Sequence, residues 1–326
     1  MSVLDKLQAS ANLRSYQTGT ARLNSPVQNP ITLRDRMHKN LHAAFYLGMH
    51  RMMLHLPVDW VSAFGAHIGW FIVSRYKPKA LHQARRNIAR LKPELTSDQI
   101  EAFCERLYRN IGRVIFEFAC LPRLFPQGRF KISGAEHLKA ACAQGPVVLI
   151  YLHIGNWEGI SPLMQHLGQK FSDIYEPPHT EVELRIANEM RRSFGVDLLP
   201  PGPAAARPAL RRLQAGGCVA IFCDELRNSL IMAPFFGRPP HSKGNLALAA
   251  RLARRTGAKI IIGYIVRQKE CSFEANFLPA IELTPQAEER PAADEVVLAD
   301  VIRLNSLIEP IITTHLDQWY FADNDL

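Results

Sequence analysis

The chain has 326 residues, 47% of them apolar and 21% charged. That is enough apolar material for a packed core in one large domain or two smaller ones, and it excludes a disordered chain, a collagen-like repeat and a disulfide-stapled miniprotein. Lys and Arg number 39 against 30 Asp and Glu, and the net charge of +9 favours an anionic partner: a phospholipid surface, a phosphorylated substrate, an acidic protein or nucleic acid.

Residues 1–30 are polar, lack the apolar stretch of a secretory signal, and read as a flexible arm. Residues 31–125 read as helices. From Ile31 to Tyr76 the sequence is apolar but punctuated by His and Arg. Its longest run, Trp60 to Ser74, falls short of the roughly 20 apolar residues that a membrane span needs. With Trp60 and Trp70 inside it, the stretch reads as a helix pair that lies on or dips into a membrane; a buried helical hairpin is the alternative. Leu81 to Arg90 is basic. Thr96 or Ser97, followed by Asp98, Gln99 and Glu101, marks a helix start, and an amphipathic helix runs on through Ala119 until Pro122 ends it.

Residues 126–326 read as one α/β domain. Pro146 to Leu152 is a continuous apolar run, the pattern of a strand buried on both faces. A strand follows at Phe171 to Tyr175 and a helix at Glu181 to Phe194. Ala205 to Gln214 is a basic helix with Pro208 in its first turn. Cys218 to Cys223 is a second buried strand. Lys243 to Thr256 is a helix closed by Gly257. Lys259 to Val266 and Ser272 to Leu278 form a hairpin, and Glu295 to His315 is a helix broken near Pro310. Strands alternating with helices predict a mostly parallel central sheet covered by helices. The six cysteines have no Cys-x-x-Cys spacing and several lie in apolar runs, as free buried thiols in a reducing compartment do.

The segment that carries chemistry is Tyr151-Leu-His-Ile-Gly-Asn-Trp-Glu-Gly159. It leaves a buried strand and enters a helix, the place where open α/β sheets put their sites. A histidine alone is most often a structural residue. Here, however, Gly155 permits a tight turn that can fold the Glu158 carboxylate back onto the His153 imidazole. A carboxylate on one ring nitrogen fixes the tautomer, and the other nitrogen can then take a proton from a hydroxyl. Asn156 and Trp157 lie between them and can position substrate, although Trp157 is equally suited to plain packing. Asp224, just past a strand end, either lines the site or caps a helix. Arg238 and Lys243 bracket a Pro-containing loop and either bind phosphate or form solvated surface. No His-Glu-x-x-His or Cys/His cluster points to a metal, and no helix-turn-helix or aromatic-basic module points to nucleic acid.

The block HIGNWE resembles the active-site block of the lipid A late acyltransferases, within the wider acyltransferase group with His-x4-Asp/Glu motifs. Further blocks agree in order. Tyr175-Glu-Pro177 with FGVDLLP is similar to a Tyr-Arg-Pro block, GGCVAIFCDE to a Gly-rich strand ending in Asp-Gln, PFFG with RRTGAKII to a third block, and IEPIITTHLDQWYF to the C-terminal block. The helical segments ARRNIARLKPEL and IGRVIFEFACL are similar too. The resemblance implies acyl transfer to a hydroxyl of a lipid A precursor at the cytoplasmic face of a bacterial inner membrane. The donor is acyl carrier protein or acyl-CoA as co-substrate, and no other cofactor is implied. His153 is then the general base and Glu158 its orienting partner, with Asn156, Trp157, Tyr175, Asp224, Arg238 and Lys243 on the substrate. Three blocks depart from the family pattern: Glu176 replaces the Arg of Tyr-Arg-Pro, Glu225 the Gln of Asp-Gln, and Ala322-Asp-Asn-Asp-Leu326 a basic ending. Two alternatives therefore stay open: the same chemistry on another glycolipid or an amino-acid lipid, and a membrane-surface binding protein without turnover. Basic faces at Arg85, Arg86 and Arg90, at Arg207, Arg211 and Arg212, and at Arg251, Arg254 and Arg255 suit an anionic membrane surface and an acidic carrier protein.

Overall fold

The computed structural model describes residues 33–178, 180–227, 230–284 and 294–326. The arm at residues 1–30 lies outside them. Among the described residues four helices come first: α1 (Leu33–Met53), α2 (Val58–Tyr76), α3 (Pro78–Leu91) and α4 (Ser97–Glu117). At the start of α4 the Thr96 hydroxyl accepts from the Gln99 N–H, and the Gln99 side chain accepts from the Thr96 N–H, a reciprocal cap. The helix does not run on to Pro122. It ends at Glu117 and tightens into a 3₁₀ turn at Phe118–Cys120; Pro122 then sits in the first turn of a short helix, Leu121–Leu124, where its missing N–H costs nothing.

α2 and α4 touch backbone to backbone. A Cβ on Gly112 of α4 would lie 2.1 Å from the Gly65 carbonyl oxygen of α2, and one on Gly69 would lie 2.3 Å from that of Tyr108. Gly112→Ala is therefore expected to destabilise the chain by about 1–3 kcal/mol through overpacking, despite the better helix propensity of alanine. The midpoint of denaturant unfolding measures this, and an unchanged midpoint would show that the two helices separate freely.

The sheet has seven strands: β1 (Phe130–Ser133), β2 (Val147–Tyr151), β3 (Ser172–Ile174), β4 (Asp197–Leu199), β5 (Cys218–Phe222), β8 (Lys259–Lys269) and β9 (Ser272–Phe277). β6 (Leu226–Arg227) and β7 (Leu230–Ile231) form a separate ribbon. The sheet order is β1-β9-β8-β2-β5-β3-β4, and every neighbouring pair is parallel except the β8–β9 hairpin. The connecting helices are α5 (Ala135–Gln144), α6 (Ile160–His166), α7 (Glu181–Ser193), α8 (Ala206–Gln214), α9 (Gly244–Thr256) and α10 (Asp294–Thr314). β2 is buried along its whole length because helices cover both faces. Val148 and Ile150 pack with Ile88 of α3, Leu107 of α4, Leu246 of α9 and Leu304 of α10. Val147, Leu149 and Tyr151 pack with Val61 of α2, Leu138 of α5, Leu163 of α6 and Met190 of α7.

Pro208 lies early in α8, and Gly257 closes α9 in the left-handed region (φ 66°). α10, by contrast, is unbroken: Pro310 lies inside it, near its end. One missing N–H there costs a single bond, and the Thr313 and Thr314 hydroxyls donate to the carbonyls of Glu309 and Pro310. All six cysteines are free thiols. The basic clusters are partly used internally, as Arg85 pairs with Glu101, Arg212 with Asp197, Arg251 with Asp294 and Arg254 with Asp300.

Candidate active site

β2 and β5 are parallel neighbours with Tyr151 opposite Phe222. Each chain continues two residues past that pair, one to His153 and the other to Asp224, so the register alone sets these side chains together beyond the carboxyl ends of the strands. His153 Nδ1 lies 2.8 Å from Asp224 Oδ1, and the His153 N–H donates to Asp224 Oδ2 at 2.8 Å. The indole N–H of Trp319 donates to the same Oδ2 at 2.9 Å. Asp224 and Trp319 are completely buried. A carboxylate facing Nδ1 holds the proton there and leaves the lone pair on Nε2, which bonds to none of the described residues. Rings of Phe222 (4.2 Å), Phe321 (5.0 Å) and Trp157 (5.5 Å) wall the imidazole.

Gly155 makes the turn that follows. Its φ is +59°, and a Cβ there would lie 2.2 Å from the Ile265 carbonyl oxygen. The C-terminal Gln-Trp-Tyr-Phe segment stitches onto this turn: the Gly155 N–H donates to Gln318 O at 3.1 Å and the Tyr320 N–H to His153 O at 2.9 Å. Asn156 is an anchor of the loop. It is fully buried, and its amide donates to Glu117 Oε2 at 2.8 Å. Glu117 is itself held by both Nη groups of Arg267, at 2.7 and 2.8 Å, and by the Ser62 hydroxyl.

Glu158 does not occupy the position expected of it. The 3₁₀ turn at Trp157–Gly159 carries it towards α7, where its Oε2 accepts from Arg191 Nη2 at 2.8 Å. The carboxylate on Nδ1 of the imidazole is Asp224 instead. Arg191 also lies over the Tyr175 ring, 4.3 Å from its centroid, so Tyr175 supports this ion pair; its neighbour Glu176 is exposed. A cation thus reaches the Tyr175 block from α7 rather than from position 176. Arg238 turns its guanidinium onto the Ile231 carbonyl and lines a groove of about 420 Å³ with Pro234, Asn305 and Glu309. Lys243 is exposed, and its backbone N–H donates to His241 just ahead of α9. Glu225 caps α9: one carboxylate oxygen accepts from the Asn245 N–H at 2.6 Å, and burial pushes its pKa up to about 8.

The acidic ending has a structural use. The Asn87 amide donates to the carbonyls of Ala322 and Asn324, the Tyr108 hydroxyl to Asp323, and Arg90 to the Leu326 carbonyl. Burial raises the Asp323 carboxyl to about 6. Sequence reasoning does not single out Arg191, Trp319, Glu117 or Arg267. Trp319 lies within the C-terminal block IEPIITTHLDQWYF, but no spacing ties it to Asp224.

The model of one protein family, described as bacterial lipid A biosynthesis acyltransferase, matches residues 33–324. A comparison with the curated proteins finds no match.

Proposed function

Since the chain belongs to the bacterial lipid A biosynthesis acyltransferase family, and is thereby an acyltransferase, we propose that it moves a fatty acyl chain from acyl carrier protein, or from acyl-CoA, to a hydroxyl of a lipid A precursor, with His153 as general base. The observation that carries this reading is the buried Asp224 carboxylate on Nδ1, which leaves Nε2 as a lone pair at the carboxyl end of the sheet. In the proposed step Nε2 takes the proton of the acceptor hydroxyl while its oxygen attacks the thioester carbonyl carbon. The C–O bond forms, the C–S bond breaks, and the imidazolium returns the proton to the departing thiolate. Asp224 orients the ring and stabilises the transient imidazolium. Trp157 and Phe222 wall the reacting atoms from water.

No helix among the described residues is long and apolar enough to cross a membrane. Instead, Leu41 and Phe45 on α1 and Trp60, Phe64 and Phe71 on α2 are large apolar side chains exposed on the surface. Their helical spacing supports a face lying in the cytoplasmic surface of the inner membrane, where the acceptor is found. The net positive charge suits both anionic lipid and an acidic carrier protein.

The test is transfer of labelled acyl chains from acyl carrier protein and from acyl-CoA, in parallel, to a lipid A precursor presented in anionic vesicles. His153→Ala is expected to lose at least ~10²-fold in kcat. Equal turnover by the two proteins would eliminate the base, and failure of the protein to sediment with those vesicles would eliminate the membrane seat.

A further inference from the structure

Asp173 is a buried carboxyl that the mechanism above leaves unused. It sits in β3, in register with Leu198 of β4 and Ala220 of β5, and laterally paired residues of a sheet point to one face. That face is the one holding Ala220 and Tyr151, beneath the loop that carries Glu158. Asp173 is 4% exposed, and its Oδ1 has no hydrogen-bond partner among the described residues. The charges acting on it are Arg191 from α7 and Glu158 and His153 from the loop after β2. Tyr151 of β2 and Tyr175 beyond β3 face it as well, each with a hydroxyl that has no partner among the described residues. Its partners on β4 and β5 are apolar. One guanidinium therefore serves two carboxyls. Arg191 is held between the rings of Tyr175 (4.3 Å) and Phe118 (5.9 Å), and its side chain is 12% exposed. Its hydrogen bond goes to Glu158, not to Asp173.

Resting on the reading of His153 as the base, we propose that Arg191 is a positioning residue for acyl transfer, acting through Glu158, and that a proton on Asp173 decides whether Arg191 serves Glu158 alone. Burial raises the Asp173 carboxyl to about 7, against the downward pull of Arg191 and with the upward push of Glu158. Below that pH Asp173 is neutral, and the guanidinium charge is matched by Glu158 only. Above it a second anion draws on the same guanidinium and loosens its hold on Glu158. Glu158 shares its single 3₁₀ turn with Trp157, whose ring is 5.5 Å from that of His153. A displaced Glu158 therefore shifts the wall of the site.

The experiment is kcat and KM for the full chain between about pH 5.5 and 9, with acyl carrier protein as donor, for wild type and the variants Arg191→Met, Arg191→Lys, Asp173→Asn and His153→Ala. Wild type is expected to lose activity on the alkaline side with a midpoint near 7. For Asp173→Asn the ratio of activity at the alkaline end to that at the acid end is expected to exceed the wild-type ratio by at least ~3-fold. Arg191→Met is expected to lower kcat ~10²-fold with KM within ~3-fold, and Arg191→Lys to recover part of the loss. An Asp173→Asn profile superimposable on wild type, or wild-type kcat in both Arg191 variants, overturns the proposal. Should Arg191→Met fail to fold, the near-isosteric Arg191→Lys and Asp173→Asn decide the question by the same criteria. An inert His153→Ala beside unaffected Arg191 variants sinks this inference alone, whereas an active His153→Ala sinks the reading beneath it.

Discussion

Asp224→Asn is expected to lower kcat by on the order of 10² to 10⁴ while leaving KM nearly unchanged. The substitution preserves size, and the asparagine oxygen can still accept from Trp319 and from the His153 N–H. What it changes is the group facing Nδ1, where an amide NH₂ replaces a carboxylate oxygen. The imidazole must then turn its lone pair to the amide and carry its proton on Nε2, so the nitrogen that should receive the hydroxyl proton already holds one. Combined with His153→Ala, the substitution should add nothing further, because both changes remove the same function. Steady-state kinetics of the two single variants and the double variant decide the matter, and a wild-type rate for Asp224→Asn would refute the assigned tautomer.

Glu117→Ala should have the largest effect on stability, about 3–5 kcal/mol, because it strands the Arg267 guanidinium, which is almost fully buried. It also releases Asn156 and with it the turn that presents His153. Replacing both partners with apolar residues of similar volume, Glu117→Leu with Arg267→Met, is expected to unfold at higher denaturant concentration than Glu117→Ala alone. A double variant no better than the single one would mean that the cost lies in the cavity and not in the unpaired charge. The pH dependence has a definite sign. Burial pushes the Glu117 carboxyl up, but Arg267, Ser62 and Arg113 together hold it below the ordinary carboxylate range. The unfolded chain therefore takes up a proton first as pH falls, and the stabilisation present at neutral pH is lost on passing through the lower, folded-state value.

The strongest features of the fold are legible as apolar runs. β2 and β5 are continuous apolar segments, the pattern of a strand covered on both faces. The cap at Thr96 and the stop at Gly257 are legible because each rests on the chemistry of one or two residues close in the chain. β1 and β4 are not, being four and three residues long and only partly buried, so no alternation develops. The site divides along the same line. His153 stands out because it follows a buried strand directly, and Asp224 for the same reason. Which carboxylate meets the imidazole is not legible, because nearness in the chain favours Glu158. Asp224 is 71 positions away and becomes a neighbour only through the pairing of β2 with β5. Arg191 lies in a helix crowded with charged residues, where nothing in the pattern separates a side chain turned inward from those facing water.

The attachment of residues 318–321 to the His153 turn has a consequence for biosynthesis. Translation runs from the amino end, and the α1 and α2 surfaces emerge long before Trp319 can reach Asp224. A chain still on the ribosome lacks the indole that grips the carboxylate and the backbone groups of Gln318 and Tyr320 that pin the turn. The hydrogen bonds around His153 and Asp224 are thus completed only after the N-terminal helices have been made.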